Sequence, residues 1–136
     1  MGAPKVVLDT NIIVSAFGWG GNPREVFNLC IFGKIELFSS SEQIAELQRV
    51  LCYPKFAFSS SQIEYIIRVV LDIVTFVELA GNFHVVTDDP SDDIILETAV
   101  RGGASYLVTR DEHLLKLKKF GDVTILKAVD FLLVVK

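Results

Sequence analysis

Short apolar runs alternate along the chain with stretches of helical period, a pattern that predicts an α/β fold built on a parallel sheet. KVVLD at 5–9 is apolar and β-branched up to its aspartate, as expected of a strand covered on both faces. Further strands are expected at 35–39 (IELFS), 75–79 (TFVEL), 105–109 (SYLVT) and 122–126 (DVTIL). Helices are expected between them. One runs over 22–33, with Asn22 as cap, Pro23 in its first position and Gly33 at its end. Others cover 41–51, with Ile44, Leu47 and Leu51 on one face, and 60–74. A fourth opens at Asp89 and Pro90 and stops at Gly102 or Gly103, a short one spans 112–119, and 128–133 closes the chain. The count is about five strands and six helices.

Composition narrows the class. The 136 residues are read as one domain, 1–136, and 51% apolar against 22% charged residues favours a packed core over disorder. The longest apolar runs, such as FLLVV at 131–135, fall well short of the about 20 residues a membrane span needs. MGAPKVVLD does not read as a signal peptide, because Asp9 interrupts the apolar stretch, and Val6 stands where a myristoylation signal wants Ser or Thr. A cytoplasmic protein with no membrane partner is expected. Cys30 and Cys52 both sit among apolar neighbours and are read as buried free thiols. No Cys/His cluster of zinc spacing occurs.

The acids change the picture. Asp9 ends one apolar strand and Asp111 follows another by two residues, and ligands of open parallel sheets bind outside such strand ends. Asp92 and Asp93 fall in the first turn of the helix that leads into the strand before Asp111. Acids there also complement the helix dipole, so position alone leaves both readings open. Glu46 lies about 120° from the buried direction of its helix, on the side of Val50, while Arg49 points to solvent. Carboxylates sharing a cleft stay ionised together only around cations, and an all-oxygen ligand set points to Mg²⁺ or Mn²⁺. Such a cation suits phosphoester hydrolysis. The formal charge of −4 does not forbid an anionic substrate, because setting four site acids aside leaves 13 acids against 13 basic residues. Residues 101–136 carry a net +3, and Arg101, Arg110, Lys116, Lys118 and Lys119 are candidate phosphate guides.

Four stretches in order, VVLDTNIIVSA (6–16), FSSSEQIAELQRVL (38–51), DDPSDDIILETAVRGGASYLVTRDEHLL (88–115) and VTILKAVDFL (123–132), together resemble the PIN-domain ribonucleases. The resemblance is to the prokaryotic branch that supplies toxins of toxin–antitoxin pairs. It implies a three-layer α/β/α sandwich with a mostly parallel sheet. It also implies metal-dependent endonucleolytic cleavage of RNA to a 3′-hydroxyl and a 5′-phosphate, with an antitoxin protein as partner. Carried over residue by residue, the family's metal-binding and catalytic acids fall on Asp9, Glu46, Asp92 and Asp111. Asp92 is preferred to Asp93 because the helix's small residues then align on Thr98 and Ala99. Asn11 and Thr109 match positions that hydrogen-bond the acids. Ser40 is read as a helix start, and His113 and His84 take no part.

Three other classes fit the residues less well. An aspartyl-phosphate phosphatase wants a second Asp where Asn11 stands, and a receiver domain wants an acidic pair after the first strand, which is missing. The stronger rival is a PIN-like interaction module, catalytically weak, that acts by partner or RNA binding and need not bind Mn²⁺. A homodimer is expected, because the 60–74 helix reads as apolar nearly all round.

Overall fold

The computed structural model describes residues 2–81, 83 and 89–135. His84 and Asp88 of the sequence reading lie outside them. Six strands, β1 (Lys5–Leu8), β2 (Glu36–Ser39), β3 (Thr75–Phe76), β4 (Tyr106–Val108), β5 (Lys119–Phe120) and β6 (Val123–Leu126), form one sheet in the order β3-β2-β1-β4-β6-β5. Five run parallel, and β5 is antiparallel to β6. Seven α-helices among the described residues cover it: α1 (Thr10–Gly18), α2 (Gly21–Ile31), α3 (Ser41–Leu51), α4 (Ser60–Ile73), α5 (Pro90–Arg101), α6 (Glu112–Leu115) and α7 (Ala128–Val135).

β1 explains the layering. Val6 and Leu8 point into one core with residues of α1 to α4 and α7, whereas Val7 points into the other with α5 and α6. Alternate side chains of a strand face opposite ways, so an unbroken apolar strand requires a helical layer on each face. The three-layer α/β/α sandwich with a mostly parallel sheet follows.

Several expected boundaries shift. α1 was not foreseen: TNIIVSAF continues the apolar run of β1 without a visible break, yet Asp9 at φ −60°, ψ 149° turns it into a helix. α2 opens two residues early at Gly21, with Gly20 in place of Asn22 before it, and Pro23 still falls in the first turn, where no N–H is needed. The third strand holds only Thr75 and Phe76, at the sheet edge. The expected 112–119 helix ends at Leu115, and its tail pairs as β5, turning back on β6.

Burial also departs from expectation. Cys52 is exposed, because it caps the end of α3 beyond the packed face, whereas Cys30 is buried and burial pushes its thiol up to about 12. On α3 the buried residues are Gln43, Leu47, Val50 and Leu51, with Ile44 only half-buried. α4 is not apolar all round: Ile66 and Val70 are buried, while Ser61, Gln62, Glu64, Arg68 and Asp72 form an exposed polar face. Gly102 sits where α5 meets β2 and the chain after β3. A Cβ there would lie 2.9 Å from Val77 Cγ2 and 3.2 Å from Phe38 Cδ2. No helix among the described residues is long and apolar enough to cross a membrane.

Candidate active site

The chain runs from β1 through β2 to β3 on one side, then resumes at β4 on the other side of β1. A crevice opens above the carboxyl ends of two strands where the order reverses in this way. Asp9 follows the last residue of β1, and Thr109, Arg110 and Asp111 follow β4. A cavity of about 210 Å³ at this point is lined by Asp9, Glu46, Asp92 and Asp111, the four expected acids, together with Asp89 and Thr10.

Local structure fixes each carboxylate. The Thr109 hydroxyl donates to Asp9 Oδ2 at 2.6 Å and accepts the backbone N–H of Asp111 at 3.0 Å, so one buried side chain ties the two strand ends together. Asp111 caps α6, accepting from the N–H groups of His113 (2.7 Å) and Leu114 (3.4 Å). Asp92 stands in the first turn of α5. Asp89 caps the same helix by accepting the Ser91 N–H at 2.9 Å. Glu46 is held one turn after Gln43, whose buried amide donates to the Leu8 carbonyl and accepts from the Ser39 hydroxyl at 2.8 Å. Gln43 thereby anchors α3 on the residue before Asp9. The Glu46 side chain retains 17% exposure, at the border of the apolar face as its helical position implies, and lies 3.7 Å from the exposed Arg49.

Burial pushes the Asp9 carboxyl up from 3.8 to about 6, against the Thr109 hydrogen bond, with Asp111 and Glu46 adding repulsion. Asp92 rises further, to about 8, through burial first and then the negative charges of Asp111 and Asp89. Its Oδ2 is buried with no hydrogen-bond partner among the described residues. Carboxylate oxygens of Asp89, Asp92 and Asp111 all lie within 4.8 Å of one another. An orphaned oxygen, mutually repelling acids and an all-oxygen donor set fit a hard divalent cation. The fit is specific to this set: His113 is exposed, and neither histidine nor cysteine lines the acid cavity among the described residues.

A sequence profile of the PIN domain matches residues 5–113. The chain belongs to the PIN-domain family. VapBC2 from Rickettsia felis, solved bound to a DNA fragment from their promoter, is similar in structure to this PIN domain. The TM-score is 0.63 at 18% identity, over 89% of this chain and 96% of that one. No curated protein sequence matches.

The remaining expected residues divide. Asp93 is buried and does not line the acid cavity of this PIN domain. Thr109 binds Asp9 as anticipated. Asn11 lines the cavity, exposed, and makes no side-chain hydrogen bond to an acid among the described residues. Ser40 caps α3, accepting the Gln43 N–H at 3.3 Å, and its hydroxyl meets Thr98 at 3.0 Å. Of the five candidate phosphate guides, Arg110 stands beside the site, its guanidinium donating to Ser15 at 2.9 Å. Arg101 instead donates to the Glu78 carbonyl and pairs with Glu97, away from the acids. Asp89, Gln43 and Lys55 were missed. Asp89 could have been found, because residues three apart on a helix face the same way and Asp92 was already in view.

Proposed function

We propose that this protein is a metal-dependent endoribonuclease, cutting RNA internally to leave a 3′-hydroxyl and a 5′-phosphate. One observation carries the reading. Carboxylates from four separate segments (the end of β1, α3, the start of α5 and the turn into α6) converge on one cavity at the switch point of the sheet. Folding alone has no use for that arrangement, which the two raised carboxyls mark as costly. Membership of the PIN-domain family, whose members are generally nucleases, points the same way.

Asp9, Glu46, Asp92 and Asp111, with Asp89 added by the structure, would hold Mg²⁺ or Mn²⁺. When bound, such a cation lowers the pKa of water and neutralises charge building on the phosphate oxygens. The chain's own residues prepare the ground for that step. Thr109 fixes the Asp9 and Asp111 segments in one register through a single hydroxyl. Gln43 locks α3, and with it Glu46, to the end of β1. Asp111 offers one oxygen to the α6 backbone and keeps the other for the site. Arg110 and Lys55 stand at the rim, where an incoming phosphate chain would pass.

The test is cleavage of RNA by the purified chain in Mn²⁺ or Mg²⁺, its arrest by a chelator, and its loss in Asp111→Asn purified alongside. Equal degradation by Asp111→Asn would expose a contaminant and favour the interaction-module reading. We further infer cytoplasmic action under the control of a small antitoxin protein, tested by co-purification from the native cell. A homodimer remains our reading of the assembly, resting now on exposed Phe32, Leu133 and Val134 rather than on α4. Light scattering that finds only monomer at micromolar concentration would remove it.

A further inference from the structure

Beside the acids the surface changes character. Trp19 is 67% exposed and Tyr53 41%, and Phe56 lies half-buried between them. The Tyr53 and Phe56 rings are parallel to within 7°, with centroids 6.4 Å apart, and Trp19 stands edge-on to Phe56 at 5.7 Å. Lys55 Nζ lies 5.1 Å from the centre of the Phe56 ring. Two connections present this ledge. Gly20 and Gly21, at φ +84° and +66°, reverse the chain after α1 and leave Trp19 outside, and the 3₁₀ turn Pro54–Phe56 follows α3.

The ledge is continuous with the site. A cavity of about 720 Å³, bounded by Trp19, Phe56, Lys55 and Arg110, shares Asn11, Lys55, Phe56 and Asp111 with the acid cavity. An acid cluster alone repels a polyanion, so something beside it must supply attraction. Here two cations and three aromatic rings do. Aromatic side chains stack on nucleobases whatever their identity, because every base has a π-face, and cations beside them take the phosphates. A duplex hides those faces.

We propose that Trp19, Tyr53 and Phe56 form a stacking platform for the bases of an unpaired RNA strand, with Lys55 and Arg110 holding the flanking phosphates as the strand enters the acid cavity. This rests on the nuclease reading and adds to it the residues of this chain that seat the strand and discriminate stacked from exposed bases.

Trp19 is the sole tryptophan of the chain, so its fluorescence reports the platform directly. The probes are an unpaired RNA octamer, the same octamer without bases, and a duplex of equal length, all in chelator so that nothing is cut. Saturable quenching by the unpaired octamer alone is expected. Binding of labelled octamer should weaken roughly 5- to 100-fold in Trp19→Ala and Tyr53→Ala, with Trp19→Phe restoring most of it. Lys55→Ala should flatten the salt dependence instead. In Mn²⁺ the platform variants should raise KM while kcat holds. Equal binding of the baseless octamer or of the duplex would overturn the platform. So would unchanged RNA affinity in both alanine variants accompanied by a changed oligomeric state, which would make the ledge an interface between copies. The two readings fail separately. Absence of cleavage in any metal with quenching intact removes the nuclease and keeps the platform, and cleavage without base-dependent binding does the reverse.

Discussion

Asp9→Asn should make the metal-free protein more stable. Asp9 is 5% exposed, and its carboxyl is raised from 3.8 to about 6, chiefly by burial. The folded state therefore holds a proton between those values that the unfolded chain has released, and stability falls as pH rises through that window. Above about pH 6 the full penalty is present, about 3 kcal/mol for a displacement of this size. Asp92, raised to about 8, extends the decline of the unmodified protein toward pH 8. An asparagine keeps an oxygen to accept the Thr109 hydroxyl but carries no charge, so its gain at pH 8 is set below that ceiling by the new amide's own need for an acceptor. A net gain of about 1–3 kcal/mol should raise the melting temperature by roughly 3–10 °C in chelator. The gain should shrink toward pH 4, where Asp9 is protonated in the unmodified fold. Mn²⁺ at about 100 times its Kd should stabilise the unmodified chain by about 2.7 kcal/mol and the variant much less. Thermal melts at pH 4, 6 and 8, with chelator or Mn²⁺, supply every term. A variant that melts at or below the unmodified protein at pH 8, beside an unmodified protein whose melting temperature is flat from pH 5 to 8, would refute the reasoning.

Thr109→Val removes the hydroxyl shared by Asp9 and Asp111 at nearly constant volume and should lower RNA cleavage about 10- to 100-fold, with Thr109→Ser retaining most of it. Asp92→Asn should lose most cleavage whereas Asp93→Asn, whose side chain does not line the cavity, should lose far less. Comparing kcat/KM with melting temperature separates chemistry from folding. Gly102→Ala forces a Cβ to 2.9 Å from Val77 and should destabilise by about 1–3 kcal/mol in a denaturant titration, leaving the metal response intact.

What the chain disclosed in advance follows from how local each cause is. β1 was legible because a short apolar, β-branched run ended by an aspartate fits a strand covered on both faces, and Asp9 was conspicuous because a charge in that setting needs a reason. α5 was legible at its start, where Asp89 and Pro90 cap and begin it, and at its end. There Gly103 and Ala104 donate to the Val100 and Ala99 carbonyls, at 3.1 and 2.9 Å. The same local logic concealed Asp89, whose capping bond explained it so well that its place beside Asp92 and Asp111 passed unnoticed. α1 was hidden by the apolar run it shares with β1, and the two-residue strand β5 is too short to carry a period, whereas β3 was expected at 75–79 and only its length was overestimated. Cys52 shows the limit of reading burial from neighbours, since apolar residues on either side do not bury a residue that ends a helix.

The least legible feature is the proposed platform, which would resolve a contradiction in the site. Trp19 and Phe56 are separated by two helices and a strand, and nothing in their spacing brings them together. The sequence poses the difficulty clearly: an acidic cluster in a chain of net charge −4 is proposed to act on a polyanion. Balancing the remaining charges removes a long-range objection, but a screened average does not seat a strand against local repulsion. Stacking does not depend on charge, and Lys55 and Arg110 place two cations at the rim of the cavity. A divalent ion held by these acids would serve two ends at once, relieving the repulsion that raises Asp9 and Asp92 and completing the attraction for phosphate. A site of this design should bind RNA weakly by charge and selectively by exposed base, so that unpaired segments are cut while paired ones of the same sequence are spared.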